Sequence, residues 1–395
     1  MKRELDNIKQ EVEARREAMV GLRRDFHRHP ELSFQERWTA GVIEARLRAA
    51  GLDEVRADVG GYGVLGLLKG GKPGRTLMIR ADIDGLPIEE ETQVSYRSEN
   101  KGVMHACGHD GHAAIALTLA AMLAEQRENL PGTIKFAFQP AEELGAGARP
   151  MLEAGIMSGP EVDGVIGLHL WNNIPAGQIG VCNGPIFAGA DSLEITVKGK
   201  GGHGALPHQT VDALVVGAEI VVALQTLVSR ECPPDQPAVV SVGTFHAGTV
   251  GNVISPEAKL ALSIRSVTPE ARQYLLDRAQ GIAQGIASAM RAECEFTLRG
   301  GVPPVVNNPT VSDMVRRAGR TALGAANVQE IKTTTVSDDM SYFLEAKPGC
   351  YFLVGSAQVG GNETFPHHHP RFDLDENCLA PAVEVLANSI LEFNK

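Results

Sequence analysis

The chain lacks the features that would send it to a membrane, a nucleic acid or an oxidising compartment. Its longest apolar run, "ALVVGAEIVVALQTLV" from Ala213 to Val228, carries Glu219 and Gln225. That run is short and polar for a bilayer span. Basic charge is not in excess: 37 Lys plus Arg face 48 Asp plus Glu, for a net charge of −11. That balance speaks against nucleic acid or an anionic membrane as a partner. The start, "MKRELDNIKQEVEARREAM", is charged and helical in pattern, without the apolar centre of a signal peptide. The six cysteines, at 107, 182, 232, 294, 350 and 378, have none of the close spacings of a disulfide framework. A reducing cytoplasm is the expected home. There is no internal repeat and no low-complexity segment.

What is present is an ordinary globular composition, 43% hydrophobic and 22% charged, over 395 residues. A chain of that length exceeds one usual core, so two domains are expected. The first third alternates in period, with helices over 7–28, 36–50 and 109–126 and strands over 76–84, 133–140 and 163–171. Near-continuous apolar strands separated by helices predict an α/β fold, a mostly parallel sheet with helices on both faces. From about 187 the order becomes β-α-β-β-α-β: strands at 192–200, 238–246, 259–267 and 294–300, helices over 209–230 and 269–291. This is the ferredoxin-like α+β arrangement. After 303 the α/β pattern resumes, with helices over 337–346 and 376–393 and a strand at 350–355. The expected division is therefore 1–186 with 303–395 as one discontinuous domain, and 187–302 as an insertion.

The chemistry-bearing residues gather where strands end, the usual site of function in such sheets. "RADIDG" gives Asp82 and Asp84, "HACGHDGH" gives His105, Cys107, His109 and His112, and "FQPAEELG" gives Glu142 and Glu143. "GLHLW" adds His169, and "FPHHHPRFD" adds His367, His368 and His369. Each alone is more often structural, since a lone strand histidine or a surface Glu-Glu pair is common. Their conjunction favours divalent transition metal. As a nucleophile Cys107 would need a base and an oxyanion hole, but not Glu143, His169 and a C-terminal histidine. Metal ligand is the leading reading for Cys107, nucleophile the second and structural thiol the third.

The motifs "RADIDGLPI", "MHACGHDGH", "FQPAEE", "GLHLW", "KGKGGHGALPH", "GNVISPEA" and "HHHPRFDLDE", in this order, span essentially the whole chain. Together they resemble the M20 metallopeptidases, specifically the amidohydrolase branch of hippurate hydrolases, N-acyl-amino-acid amidohydrolases and auxin-conjugate hydrolases. The resemblance implies metal ligands at Cys107, His109, Glu143, His169 and His368, the last two residues before the proline of an H-x-P motif. It implies a general base at Glu142 and a carboxylate at Asp84 that orients the site. Asp82 stands where other branches have a ligating histidine. His105 and His112 are expected to support the ligands or the fold. His203 of "KGKGGHGALPH" resembles a histidine that reaches across a dimer interface to the partner's substrate carbonyl, and Asn252 and Arg265 resemble substrate contacts. For Arg265, an outward-facing strand position is an almost equal alternative.

The chemistry agrees with that reading. A metal lowers the pKa of water toward about 7, and a carboxylate beside it can carry the proton to the leaving amine. Five ligands exceed the three that one catalytic zinc usually takes from protein. Two divalent metal ions per subunit are thus expected, Zn²⁺ or Mn²⁺, with Co²⁺ and Ni²⁺ compatible. The expected function is hydrolysis of small-molecule N-acyl amino acids, hippurate-like substrates, to a carboxylic acid and a free amino acid. The expected assembly is a homodimer or homotetramer formed through the inserted lid domain. The alternatives are a dipeptidase or carboxypeptidase of the same family, a non-catalytic metal-binding relative, and a thiol hydrolase using Cys107. Two departures stand out: Asp339-Met340 where relatives often show Glu-Asp-Phe, in a region expected to touch the acyl group, and Gly204 after His203.

Overall fold

The computed structural model describes residues 7–358 and 364–395. The helical pattern read for residues 1–6 lies outside the described residues. By its internal contacts the chain divides into two compact units: 1–184, 306–332 and 339–395 form the first, 185–305 and 333–338 the second. The segment 333–338 thus belongs with the second unit, although its neighbours in sequence belong to the first.

The first unit is built on an eight-stranded sheet. Its centre is four parallel strands, in spatial order Pro131–Gln139, Lys72–Asp82, Gly164–Pro175 and Gly349–Ala357. Antiparallel pairing begins only towards the margins, where Val64–Lys69 lies against Pro131–Gln139 and Ile179–Val181 against Gly349–Ala357. The strands are buried on both faces, which is why their sequences read as unbroken apolar runs. On one face Leu77, Ile79, Ile166, Leu168, Phe352 and Val354 pack with residues of the helices Ile8–Arg28, His109–Glu125, Pro309–Leu323 and Leu379–Phe393. The alternate residues of the same strands, among them Arg80, Asp82, His169 and Tyr351, belong to the other face. There Met340, from the short helix Met340–Ala346, meets the backbone at Gly167. The parallel sheet between helices is as the sequence predicts.

The second unit has a four-stranded antiparallel sheet in the order Ala238–Ala247, Glu257–Ser266, Gly189–Lys198, Glu293–Val302. The helices Ala213–Thr226 and Pro269–Ala289 pack on it around Ile195, Val216, Ile220, Leu260, Ile264 and Leu275. Both helices begin at side-chain caps: Asp212 accepts from the amides of Leu214 and Val215, and Thr268 from that of Ala271. Contrary to the expectation from its sequence, the helical stretch Ala213–Glu231 is long and apolar enough to cross a membrane by length and composition; one third of it is buried, against the core of this unit. Its outer side leaves Leu214, Val215, Val222 and Val228 exposed.

Candidate active site

Three parallel strands of the first unit deliver their polar ends to one edge of the sheet. Asp82 ends Lys72–Asp82, and Asp84 follows two residues on. The turn that carries Glu142 and Glu143 follows Pro131–Gln139. His169 lies within Gly164–Pro175. The helix His109–Glu125 starts beside them, and two glycines make that start possible. Gly108 is left-handed, with φ of 88°. A Cβ on Gly111 would sit 2.4 Å from Cδ1 of Leu170, so a larger residue there would force the Leu170 side chain to shift.

These elements bring the sequence-predicted ligands together. Donor atoms of Cys107, His109 and His169 lie within 4.8 Å of one another, as do those of Cys107, Glu143 and His368, and those of His109, Glu142 and Glu143. Cys107 Sγ is 3.5 Å from His169 Nε2, and His368 Nε2 is 3.4 Å from Glu143 Oε1. The other imidazole nitrogens are committed outward, with His109 Nδ1 donating to the Asp84 carbonyl at 2.9 Å and His169 Nδ1 to the Leu170 carbonyl at 2.7 Å. Both rings therefore turn Nε2 inward, as ligating histidines do. His109 Nε2 and Glu143 Oε1 are buried with no hydrogen-bond partner, so the protein alone leaves donors unsatisfied there. A cluster of thiol, imidazole and carboxylate with inward-facing buried donors fits divalent metal.

Of the three consecutive histidines, His368 is the one that joins the cluster. Its backbone is left-handed at φ 64°, and its amide donates to the Ala106 carbonyl at 2.8 Å, which fixes the turn against the Cys107 loop. His367 Nε2 donates to the Leu170 carbonyl, and its ring lies 4.7 Å from that of Trp171. His369 accepts from the Arg371 amide and stacks on Phe365.

Electrostatics point the same way. Burial, with the charges of Glu143, Glu142 and Asp82, pushes the Cys107 thiol well above its ordinary range. A thiol so placed is a poor nucleophile on its own, whereas a bound cation would reverse the balance. Burial opposes a proton on His109, but Asp82, Asp84 and Glu143 outweigh it and hold its pKa at about 10. Burial, together with His112 and His367, holds His169 well below the usual histidine range.

Asp84 accepts the amide of Glu142 on one carboxylate oxygen and that of Glu143 on the other, both at 3.1 Å. Asp82 is held by Arg80 at 2.5 Å and by His112 Nδ1, and His112 Nε2 accepts from the Leu170 amide. Asp82 thus orients its neighbours, and it remains well below the carboxylate range because Arg80, His109 and His112 outweigh the effect of burial.

Three groups around the site were not singled out from the sequence. Arg80 is buried and reaches Asp82, Gln139 and Asp339. Arg23, on the first helix and without exposure, reaches Asp110 at 2.7 Å, Asp373 at 2.9 Å and Glu376 at 3.3 Å. Asp110 follows His109, so this network secures the helix start from behind. Glu36 is buried near the Glu142 turn, where burial lifts its carboxyl to about 7 against the pull of three backbone amides. A charged residue within an apolar strand, as in "MIRAD", was the legible signal for Arg80. Asp339 and Met340, expected near the acyl group, are both buried: Asp339 accepts from Gln139, Gly147 and Ala148. His105 is buried with neither ring nitrogen partnered.

In the second unit His203 is exposed on a two-residue strand paired with Val253 and Ile254, and its Nδ1 accepts the Ala205 amide. Asn252 is exposed next to that pairing, its carbonyl accepting the Gly204 amide. Arg265 is partly buried on Glu257–Ser266 and donates to Ser337 Oγ at 3.1 Å.

The profile of Peptidase family M20/M25/M40 matches residues 78–392. The chain belongs to this family. It is 43% identical over 308 residues to an N-acyl-L-amino acid amidohydrolase of Geobacillus stearothermophilus, covering 78% of this chain and 80% of that one. It is 37% identical over 391 residues to thermostable carboxypeptidase 2 of Saccharolobus solfataricus, covering 98% of each. Among solved structures, a Bacillus subtilis protein described as a dinuclear metal binding peptidase from the M20 family superposes with a TM-score of 0.82 at 34% identity, over 96% of this chain and 98% of that one. As an M20 hydrolase, the chain is an enzyme that cleaves amide bonds, with candidate divalent-metal ligands at its site.

Proposed function

We propose that the protein is a dinuclear metal-dependent amidohydrolase of N-acyl amino acids, hippurate-like substrates among them. The observation that carries this is the Glu142–Glu143 turn. Glu143 lies with Cys107 and His368, both carboxylates lie with His109, and both amides are anchored on Asp84.

Cys107, His109, Glu143, His169 and His368 hold two divalent ions in this reading, Zn²⁺ or Mn²⁺, with Co²⁺ or Ni²⁺ compatible. Bound there, the metal would lower the pKa of a water and polarise the scissile carbonyl. Glu142 takes the proton as water adds to the carbonyl carbon, then delivers it to the nitrogen as the C–N bond breaks. The products are a carboxylic acid and a free amino acid. Asp84 keeps the carboxylate pair in register. His203 reaches across the dimer interface and donates to the substrate carbonyl oxygen in the partner's site, Asn252 adds a polar contact, and the Arg265 guanidinium holds a substrate carboxylate.

The second unit is assigned as a lid and dimerisation domain. The exposed Leu214, Val215 and Val222 of its helix support a homodimer or homotetramer. All six cysteines are free thiols, which supports a cytoplasmic location. A dipeptidase or carboxypeptidase is the second reading, favoured by the carboxypeptidase relative. The test is hydrolysis of N-benzoyl-glycine, N-acetyl amino acids and dipeptides, before and after EDTA and after metal is restored. Chelator-sensitive cleavage of the acyl amino acids supports the proposal, and cleavage of dipeptides alone replaces it with the second reading. Chelator-resistant activity overturns the metal assignment.

A further inference from the structure

Besides His368, two non-glycine residues beside the site have left-handed backbones, Phe34 at φ 60° and Ala141 at φ 53°. For side chains of this kind the conformation is strained and persists only where surrounding structure imposes it. One atom joins the two. Oε1 of Glu36 accepts the Phe34 amide at 3.0 Å and the Ala141 amide at 2.9 Å. Glu36 and Ala141 are both fully buried, and Glu36 Oε2 has no hydrogen-bond partner.

Glu36 immediately precedes the helix Arg37–Ala49, so capping would be its ordinary task. That task falls to Glu31 instead, whose carboxylate accepts the amides of Trp38 and Thr39 and the Thr39 hydroxyl. The Glu36 carboxyl is thereby turned to a turn far along the chain. With Asp84 it completes a series: the amides of Ala141, Glu142 and Glu143 are accepted in succession by Glu36 Oε1, Asp84 Oδ1 and Asp84 Oδ2. Ser33, in the same segment as Glu36, donates to Asp84 Oδ2 at 2.7 Å and ties the two carboxylates together.

We infer that Glu36 is a positioning residue for the reaction. It holds Ala141 in its strained conformation and so sets the direction in which Glu142 and Glu143 leave the backbone. This rests on the assignment of Glu142 as base and Glu143 as ligand. Glu36 touches neither substrate nor metal and acts only through the turn.

The test compares Glu36→Ala, Glu36→Gln and the double variant Glu36→Ala/Ala141→Gly for kcat, KM and Mn²⁺ affinity of the metal-depleted protein. Glu36→Ala is expected to lose about 10–100-fold in kcat and in metal affinity, the usual effect of removing a group that orients ligands. KM should change by less than about threefold, because substrate contacts are untouched. Glu36→Gln keeps an acceptor at Oε1 and should retain most of the activity. Glycine at 141 adopts positive φ without strain, so the double variant should recover about tenfold of the loss. That recovery distinguishes positioning from general damage, since glycine cannot refill the cavity left at position 36. Wild-type kcat and metal affinity in Glu36→Ala would overturn the inference, as would a double variant no better than Glu36→Ala. A Glu142→Gln control that stays active would overturn the assignment of the base, and the metal affinities of the Glu36 variants would still decide the role of Glu36.

Discussion

The two units hold their chemistry in opposite ways. In the first, Asp82, Asp84, Cys107, His109 and His169 are buried, with His368 the exposed member of the set, and the outward nitrogens of His109 and His169 are fixed by backbone carbonyls. In the second, His203 and Asn252 are exposed and Arg265 is only partly buried. A buried donor set must be built in advance, because each charge taken from water needs its partner in the folded chain. Exposed donors stay solvated until a ligand arrives. On the proposed reading the first unit holds the metal ligands and the second supplies recognition groups, so variants in the two should fail differently.

The largest effect is expected at Glu142. Glu142→Gln should reduce kcat by about 10²–10⁴-fold, the range for a general base, with metal content unchanged. Activity near wild type would dissolve the distinction between base and ligand in the first unit. Arg23→Ala tests whether the buried charges are interdependent. Removing one member of a buried pair costs about 3–5 kcal/mol, so denaturant unfolding should show a loss of that order, where an exposed arginine would show almost none. In the second unit Arg265→Ala should raise KM by about 10–100-fold, as for a lost charged hydrogen bond of about 1.5–3 kcal/mol. Metal content should not change, and Arg265→Lys should recover the loss only in part. An unchanged KM would return Arg265 to a structural strand position.

The smallest effect concerns pH. The Glu36 carboxyl is raised from 4.5 to about 7 by burial. Its contribution to stability is therefore full below about 4.5 and is lost as pH rises through about 7. Glutamine has no such dependence. Over that window the melting temperature of wild type should fall by a few degrees relative to Glu36→Gln, and a constant difference would contradict the buried, proton-binding carboxyl.

Much of this was legible from local pattern. The parallel strands and the β-α-β-β-α-β unit follow from apolar periodicity, and the clustered donors follow from strand ends meeting at one edge. The sequence reading named no helix at Pro309–Leu323, although Asn308 accepts the amides of Thr310 and Val311 and Pro309 opens the helix. Strand Val64–Lys69 also went unnamed, being a short apolar run with no alternation. The passage of residues 333–338 into the second unit leaves no local signature, because it depends on pairing with Phe187 and Ala188. Glu36 reads as an ordinary helix-start glutamate. Its role depends on a contact 105 positions away, which periodicity cannot report.

The most direct test of the central claim is metal content per chain, measured after dialysis, for wild type beside Cys107→Ala and Arg265→Ala. A dinuclear centre built wholly in the first unit predicts about two divalent ions for wild type and for Arg265→Ala. Cys107→Ala should retain about one or fewer, with hydrolysis lost alongside. Full metal content and activity in Cys107→Ala would contradict the account.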